Sequence, residues 1–121
     1  MTAQGYGEDA WEAALEEARS VLVGKAEAGR DISYSGLCSL IGSIRFQPQE
    51  GRFHNLLGDL STREDEGGRG MLSVLVVQAG GEKKPGKGFF DLARHLGRTG
   101  DDYEIWIAEH RAVTDYWQGK S

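Results

Sequence analysis

Residues 32–42 read Ile-Ser-Tyr-Ser-Gly-Leu-Cys-Ser-Leu-Ile-Gly, and this stretch decides how the middle of the chain folds. Ser33 is a good N-cap, because its hydroxyl can accept a hydrogen bond from the first turn of a helix. The apolar residues that follow share one helical face: Leu37, Leu40 and Ile41. We therefore predict a short helix over residues 34–41 that stops at Gly42 and carries an aromatic residue, Tyr34, at its exposed start.

Helical periodicity also organises the flanking segments. Residues 9–28 place Trp11, Leu15, Ala18 and Leu22 on one face, and Gly29 is a suitable stop. The other three predicted helices are Arg52–Leu60, Phe89–Leu96 and a last helix capped by Asp101 or Asp102. In that last helix the recurring residues are Trp106, His110, Val113 and Trp117. The pattern thus predicts five helices.

One strand is predicted, over Met71–Gln78. Its run of β-branched residues favours a strand buried on both faces. A buried strand needs a hydrogen-bonding neighbour, for which the candidates are Arg30–Ser33 and the segment near Lys83–Phe89. The polar residues 61–70 are interpreted as a connection. The prediction is a small, mostly helical α+β domain with a short β-sheet and flanking N- and C-terminal helices, in which residues 1–121 form a single domain.

Composition restricts the class of protein. The chain has 121 residues, a net charge of −5 and a single cysteine, which excludes an internal disulfide. Residues 1–29 carry six acids and two bases and residues 99–121 carry five and two, whereas residues 30–98 carry ten bases and eight acids. This balance argues against broad, nonspecific nucleic-acid binding but allows a local basic face. With no long apolar run and an acidic start unlike a signal peptide, we expect a soluble, cytoplasmic protein.

The reactive side chains of the sequence form no recognisable catalytic or metal motif. Cys38 falls in the middle of its predicted helix, so we expect a buried, inert thiol. The three histidines lie on three different predicted helices and none pairs at the spacing of a zinc helix, so we expect neither metal nor cofactor. Three consecutive carboxylates, residues 64–66, are expected to be solvated.

The best candidate for ligand binding is the segment Gly-Gly-Glu-Lys-Lys-Pro-Gly-Lys-Gly at residues 80–88, called here the lysine loop. It combines lysines and glycines before a predicted helix N-terminus, where backbone N–H groups can accept a phosphate. It is not a P-loop, because the complete Gly-x-x-x-x-Gly-Lys-Ser/Thr motif is absent. A turn, or a wing that touches the DNA backbone, is the other interpretation.

The order of these elements resembles that of a known family. The helix with Ser33-Tyr34, Leu37 and Gly42, followed by Leu57-Gly58 and then the strand, resembles the C-terminal domain of DNA alkylguanine alkyltransferases and their alkyltransferase-like relatives. The resemblance covers roughly residues 9–90. It implies a winged-helix-like centre in which Arg52–Leu60 is the recognition helix. The segments PGKGFFDLARHLG and VTDYW also resemble a pattern of small bacterial proteins, which implies no mechanism.

The resemblance also implies roles for single residues. Tyr34 matches a tyrosine that contacts the DNA backbone beside an extruded base. The family's arginine finger falls near Asn55, and Arg52 would be its nearest substitute. The proline-cysteine-histidine-arginine signature that holds the acceptor thiol is missing, and Leu72-Ser73-Val74-Leu75 stands in its place. We therefore expect no alkyl transfer.

The function expected from the sequence is a non-enzymatic DNA-binding or DNA-sensing module. The residues expected at the DNA are Tyr34, Arg45, Arg52, His54, Asn55, Lys83, Lys84 and Lys87. The alternative is an acidic protein-interaction module, such as an adaptor, an inhibitor or an immunity-type protein, which the acidic ends and Trp117 favour. A third hypothesis is an enzyme that uses His54 with Glu64 or Ser73.

Overall fold

The computed structural model describes residues 2–3, 6–80 and 83–119, which form a mostly helical α+β domain. The helices of this described part are α1 (Glu8–Ala28), α2 (Tyr34–Leu40), α3 (Gly51–Glu66), α4 (Lys87–His95) and α5 (Asp102–Trp117). The strands are β1 (Thr2–Ala3), β2 (Tyr6–Gly7), β3 (Ile32–Ser33) and β4 (Val76–Val77). β1 pairs antiparallel with β2, and β3 pairs in parallel with β4. None of the described helices is long and apolar enough to cross a membrane.

The first helix forms the centre of the core, and its predicted extent is confirmed. It ends at Gly29, whose φ of 68° lies in the left-handed region that glycine adopts without strain. Its inner face packs against α2, α3 and α5. The buried residues of that face are Trp11, Ala14, Leu15, Ala18, Leu22 and Ala26.

The third helix is longer than the sequence predicts. Instead of ending at Leu60, α3 continues through six more residues to Glu66. Ser61 and Glu64 are buried, so the polar residues after Leu60 extend the inner face of the helix and do not form a solvated connection. Their polar atoms are satisfied inside the protein, which is why burial there is tolerated.

The prediction of a strand over Met71–Gln78 is mostly wrong, although the prediction that this segment is buried is confirmed for residues 71–77. Residues 71–77 are all buried, but Leu72–Leu75 form a 3₁₀ turn and only Val76–Val77 form a strand. Its neighbour is Ile32–Ser33, within the first of the two predicted partners, and the register joins Ile32 to Val76. Because this neighbour is only two residues long, it cannot support a ladder along the whole segment.

Side chains satisfy the backbone of the segment that precedes β4. Met71 N donates to the carboxylate of Glu109 at 2.8 Å, and Ser73 N donates to Ser61 Oγ at 3.0 Å. Glu109 is itself buried, and Arg98 donates to both of its oxygens at 2.9 and 3.0 Å. These contacts attach the turn to α3 and α5 without a sheet.

Of the three consecutive carboxylates only Glu66 is exposed, whereas Glu64 is buried and Asp65 is half-buried, so the expectation that residues 64–66 are solvated is wrong for the first two. Glu64 accepts from Arg19 at 2.9 Å and from Arg69 at 2.7 Å, and Asp65 accepts from Arg98 at 2.6 Å. Burial by itself would raise the pKa of Glu64, but the bonds from Arg69 and Arg19 outweigh it and lower the pKa.

The last helix begins as predicted but faces the core differently. Asp101 and Glu104 form a reciprocal capping box, since each carboxylate accepts from the other residue's backbone N–H. The buried residues of α5 are Ile105, Glu109 and Val113. Of the face predicted from periodicity only Val113 is buried, and the half-buried ones lie at the edges: Trp106, His110 and Trp117.

Candidate nucleic-acid interface

The first residue of α2, Tyr34, is tied to the lysine loop. Ser33 caps the helix as predicted, accepting a hydrogen bond from Gly36 N at 3.0 Å. This cap places Tyr34 at the first helical position, where its hydroxyl oxygen accepts from Gly86 N at 2.9 Å. Burial raises the pKa of Tyr34, and the opposing effect of the Gly86 bond is smaller. The phenol is therefore a neutral, fixed group between α2 and the loop.

The ring of Tyr34 also contacts the start of α3. Its centroid lies 5.3 Å from that of His54 and 6.3 Å from that of Phe53, the second pair in an edge-on arrangement. His54 Nε2 lies 3.0 Å from the carbonyl oxygen of Pro48, a contact that requires the proton to be on Nε2. Three separate segments, the starts of α2 and α3 and the lysine loop, thus meet around one phenol.

Two surface clefts open on either side of Tyr34 and His54. The first, of about 410 Å³, lies between α3 and α4. Its lining residues are Tyr34, His54, Asn55, Leu57, Gly58, Asp59, Thr62, Ser73, Gly88, Phe89 and Leu92. The second, of about 500 Å³, is lined by Tyr34, Ser35, Pro48, Gln49, His54, Gln78, Ala79, Gly80 and Gly86. We call the surface formed by Tyr34, His54, Asn55 and the lysine loop the Tyr34 face.

The lysine loop is closed at its base and carries its charge outward. Gln78 N donates to the carbonyl oxygen of Lys84 at 3.0 Å, which brings the two arms together. Lys83 is exposed and Lys84 is half-buried. Lys87 lies in the first turn of α4, where its exposed ammonium pairs with Asp91 at 2.6 Å. Residues 81–82 lie outside the described part of the chain.

The other predicted contact residues divide into two groups. Asn55 lines the first cleft, and Arg52 is exposed in the first turn of α3, two residues before His54. Arg45 is exposed on the connection between α2 and α3, and it lines neither cleft. The structure thus groups Tyr34, His54 and Asn55 directly, with Arg52 on the same helical turn, and leaves Arg45 apart.

Two polar residues of the first cleft were not predicted as site residues from the sequence: Asp59 and Thr62. Asn55, Gly58, Asp59 and Thr62 recur at helical spacing, so they share one side of α3. This pattern was visible in the sequence, but it extends past Leu60, where the helix was predicted to stop. Asp59 is engaged by Trp11 Nε1 at 3.0 Å and by Arg63 at 3.0 Å, so its carboxylate already has partners.

Ser73 and His54 line the same cleft, but the catalytic grouping of His54 with Glu64 is not found. Glu64 is enclosed by Arg19 and Arg69 and does not line the first cleft. Ser73 Oγ accepts from Ser61 Oγ at 2.6 Å, in a buried pair. Glu64 is therefore an internal structural carboxylate in this fold.

Cys38 is half-buried in the middle of α2, so it is less enclosed than the sequence suggested. Burial raises the pKa of its thiol to about 11, and the nearby carboxylate of Glu50 adds to this. A thiol with so high a pKa is protonated at neutral pH and is a poor nucleophile.

Among residues 2–3, 6–80 and 83–119, no group of three or more His, Cys, Asp or Glu side chains is arranged to hold a metal ion. Comparison of the chain with protein-family models, with curated proteins and with solved structures finds no match.

Proposed function

We propose that this protein binds double-stranded DNA through the Tyr34 face. The observation that carries the proposal is the hydrogen bond from Gly86 N to the Tyr34 hydroxyl, together with the contact between the Tyr34 and His54 rings. These contacts join a short helix, the start of a second helix and a lysine-bearing loop into one surface. A helix paired with a basic loop is the arrangement with which winged-helix proteins contact DNA.

In this proposal α2 and α3 form a winged-helix-like centre and the lysine loop is the wing. The parallel pairing of β3 with β4 supports it, because this pairing holds the base of the loop beside the start of α2. The connection between α2 and α3 runs over residues 41–50, longer than the turn of about 3–4 residues in a simple helix-turn-helix. The first turns of α3, not its middle, would then approach the groove.

Charge on the surface supports the same orientation. Lys83, Lys87 and Arg52 are exposed on the lysine loop and on α3. By contrast, several acids of the central segment are neutralised internally, as Glu64 is by Arg19 and Arg69. The exposed basic groups around Tyr34 thus include Lys83 and Arg52, whereas the charge of Lys87 is balanced by its pair with Asp91.

The proposed contacts have distinct roles. Lys83, Lys84 and Lys87 would neutralise phosphates, which positions the protein without reading sequence. Asn55 and Arg52 would reach base edges, since amide and guanidinium groups can form paired hydrogen bonds with adenine and guanine. Tyr34 contacts both the lysine loop and the start of α3, so it would fix the position of the phosphate-binding lysines relative to Asn55 and Arg52.

Fluorescence anisotropy with a labelled duplex of about 20 base pairs tests this proposal, because phosphate contacts make affinity fall steeply with salt. Four or so phosphate contacts predict a slope of log K against log salt of about −3 to −4. Replacing Lys83, Lys84 and Lys87 by Ala should weaken binding and flatten that slope. Lys25→Ala, on α1 and away from this face, is the control. No binding at about 50 mM salt, where phosphate contacts are strongest, would contradict the proposal.

A second candidate function is a protein-interaction module, favoured by one observation on a different surface. Tyr103 and Ile107 on α5 are 67% and 40% exposed, although both side chains are large and apolar. The acidic ends of the chain are compatible with such a role. Tight, nearly salt-independent association with another protein would support it, since apolar contacts are screened little by ions.

A further inference from the structure

The outer face of α5 is apolar at its centre. The buried residues Ile105, Glu109 and Val113 mark the inner face of this helix. Tyr103, Ile107 and Arg111 recur every fourth residue on the opposite side, so they form one outward stripe. Glu104 and Ala108 lie beside this stripe, and the five residues line a shallow groove of about 460 Å³. This surface is separate from the Tyr34 face, because none of its residues lines either of the two clefts around Tyr34.

The two ends of the stripe differ in their contacts within the chain. The ring of Tyr103 packs edge-on against Trp106, at 6.3 Å between centroids and 88° between planes. Tyr103 is thus held in place although two-thirds of it is exposed. The guanidinium of Arg111 makes no hydrogen bond or ion pair with the described residues of the chain. An exposed Ile with an aromatic residue on one side and an arginine on the other is suited to a partner helix.

The charges of the stripe are complementary to those of a second copy of the stripe that runs antiparallel to the first. Along a helix that rises about 1.5 Å per residue, Tyr103 and Arg111 lie about 6 Å to either side of Ile107. If two copies of α5 pack antiparallel about a two-fold axis at Ile107, each Ile107 meets the Ile107 of the second copy. Each Arg111 then lies beside Tyr103 and Glu104 of the other copy, which allows a cation–π contact and an ion pair. The symmetry makes both contacts occur twice.

We propose that this protein forms a two-fold symmetric homodimer through the outer face of α5, with Ile107 on the axis and Arg111 of each copy against Tyr103 and Glu104 of the other. The carrying observation is the self-complementary order of an aromatic and an acid, an exposed apolar centre and an arginine whose guanidinium has no polar partner among residues 2–3, 6–80 and 83–119. A single pair of helices buries less than the roughly 1,200–2,000 Å² of a standard interface. The dimer is therefore weak, with a dissociation constant on the order of 100 µM.

Analytical ultracentrifugation from about 10 µM to about 1 mM protein tests the proposal over the range in which such a dimer would form. The average mass should rise with concentration for the unmodified chain. Ile107→Asp and Ile107→Lys should each weaken association at least tenfold, because each places two like charges on the axis. Ser20→Asp, at an exposed position of α1, should leave association unchanged. Unchanged thermal unfolding of each variant shows that the fold is intact.

The decisive step is to mix the two Ile107 variants. On a two-fold axis a residue meets its own copy, so Asp in one chain and Lys in the other would attract and restore the dimer. Recovery of dimer in the equimolar mixture supports the proposal. A monomeric unmodified chain at about 1 mM, or a mixture that stays monomeric, overturns it and leaves the face to a different protein partner. DNA binding does not enter this experiment, so the two proposals fail independently.

Discussion

The hydroxyl of Tyr34 accepts a hydrogen bond from the backbone of Gly86, which lies 52 residues further along the chain. This single contact connects the first turn of α2 with the last residues before α4. The approach is close, because a Cβ added to Gly86 would lie 3.2 Å from the phenol oxygen. Such a distance is tighter than ordinary van der Waals contact, so a side chain at position 86 would require the phenol or the loop to shift slightly.

The contact between Tyr34 and Gly86 predicts how a single atom affects DNA binding. Tyr34→Phe removes the acceptor and frees the lysine loop, so the duplex affinity should fall several-fold. Since water can reach half-buried Gly86, the free energy of unfolding should decrease only by about 0.5–1.5 kcal/mol. Hydrogen exchange at Gly86 should become faster. Tyr116→Phe, an exposed tyrosine of α5, serves as the control, and equal effects of both substitutions would contradict the role of Tyr34.

Removing the charge of a buried carboxylate in α3 should cause a large loss of stability. Glu64→Gln removes the charge between Arg19 and Arg69, whose side chains are 32% and 28% exposed and so remain partly hydrated. We expect the free energy of unfolding to fall by about 2–3 kcal/mol, measured by urea denaturation. The same change at exposed Glu66 should have almost no effect. Similar values for the two variants would show that the internal ion pairs contribute little.

The hydrogen bonds between Ser61 and Ser73 predict that replacing Ser61 by Ala lowers stability more than replacing Ser73 by Ala. Ser61 Oγ accepts from Ser73 N and donates to Ser73 Oγ, so Ser61→Ala removes both bonds and leaves a buried N–H unsatisfied. Ser73→Ala removes only the bond between the two hydroxyls. Ser61→Ala should therefore destabilise by about 1–3 kcal/mol and Ser73→Ala by less than about 1 kcal/mol. The order of the two melting temperatures checks this, and the reverse order would contradict it.

The His110–Asp31 pair predicts a pH-dependent contribution to stability. His110 Nε2 lies 2.8 Å from the Asp31 carboxylate, and this bond raises the pKa of His110 above 6.5 although burial opposes it. A raised folded-state pKa means that the stabilisation is complete below about pH 6.5 and is lost as the pH rises through the folded value. Asp31→Asn should therefore cost more at pH 6 than at pH 9, by up to about 1 kcal/mol.

The control for this pair is Glu27→Gln, an exposed substitution on α1. Its effect on stability should be the same at both pH values, because no His110 proton is linked to it. Thermal unfolding of the three proteins at pH 6 and pH 9 measures the difference. A constant effect of Asp31→Asn across this range would show that the His110 bond does not depend on the proton.

The helices were predictable where a local pattern and a local cap agree. Ser33 before α2 and Asp101 before α5 supply capping oxygens whose bonds involve residues only three positions away. Their positions follow from short-range chemistry that the sequence displays directly. The extension of α3 past Leu60 was missed because the partners of the buried Glu64 include Arg19, which is 45 residues away in the chain.

The segment before β4 was missed for a related reason. A β-branched run indicates burial, and residues 71–77 are indeed buried. Whether such a run forms a strand depends on the neighbour available, and here β3 pairs with only two residues. The candidate site was likewise predictable only from its local contacts. The cap at Ser33 predicts the position of Tyr34 at the start of α2, whereas the bond between Tyr34 and Gly86 depends on tertiary packing. The location of Asp59, Thr62 and Ser73 in the first cleft also depends on long-range packing.

The most direct test of the account is a titration of the isotope-labelled protein with duplex DNA, followed by two-dimensional amide NMR. We expect the shifted resonances to cluster at Tyr34, His54, Asn55 and the lysines at positions 83, 84 and 87, and we expect the resonances of Tyr103 and Ile107 on α5 to stay in place. Shifts that cluster on α5, or no shifts at about 50 mM salt, where electrostatic binding is strong, would contradict it.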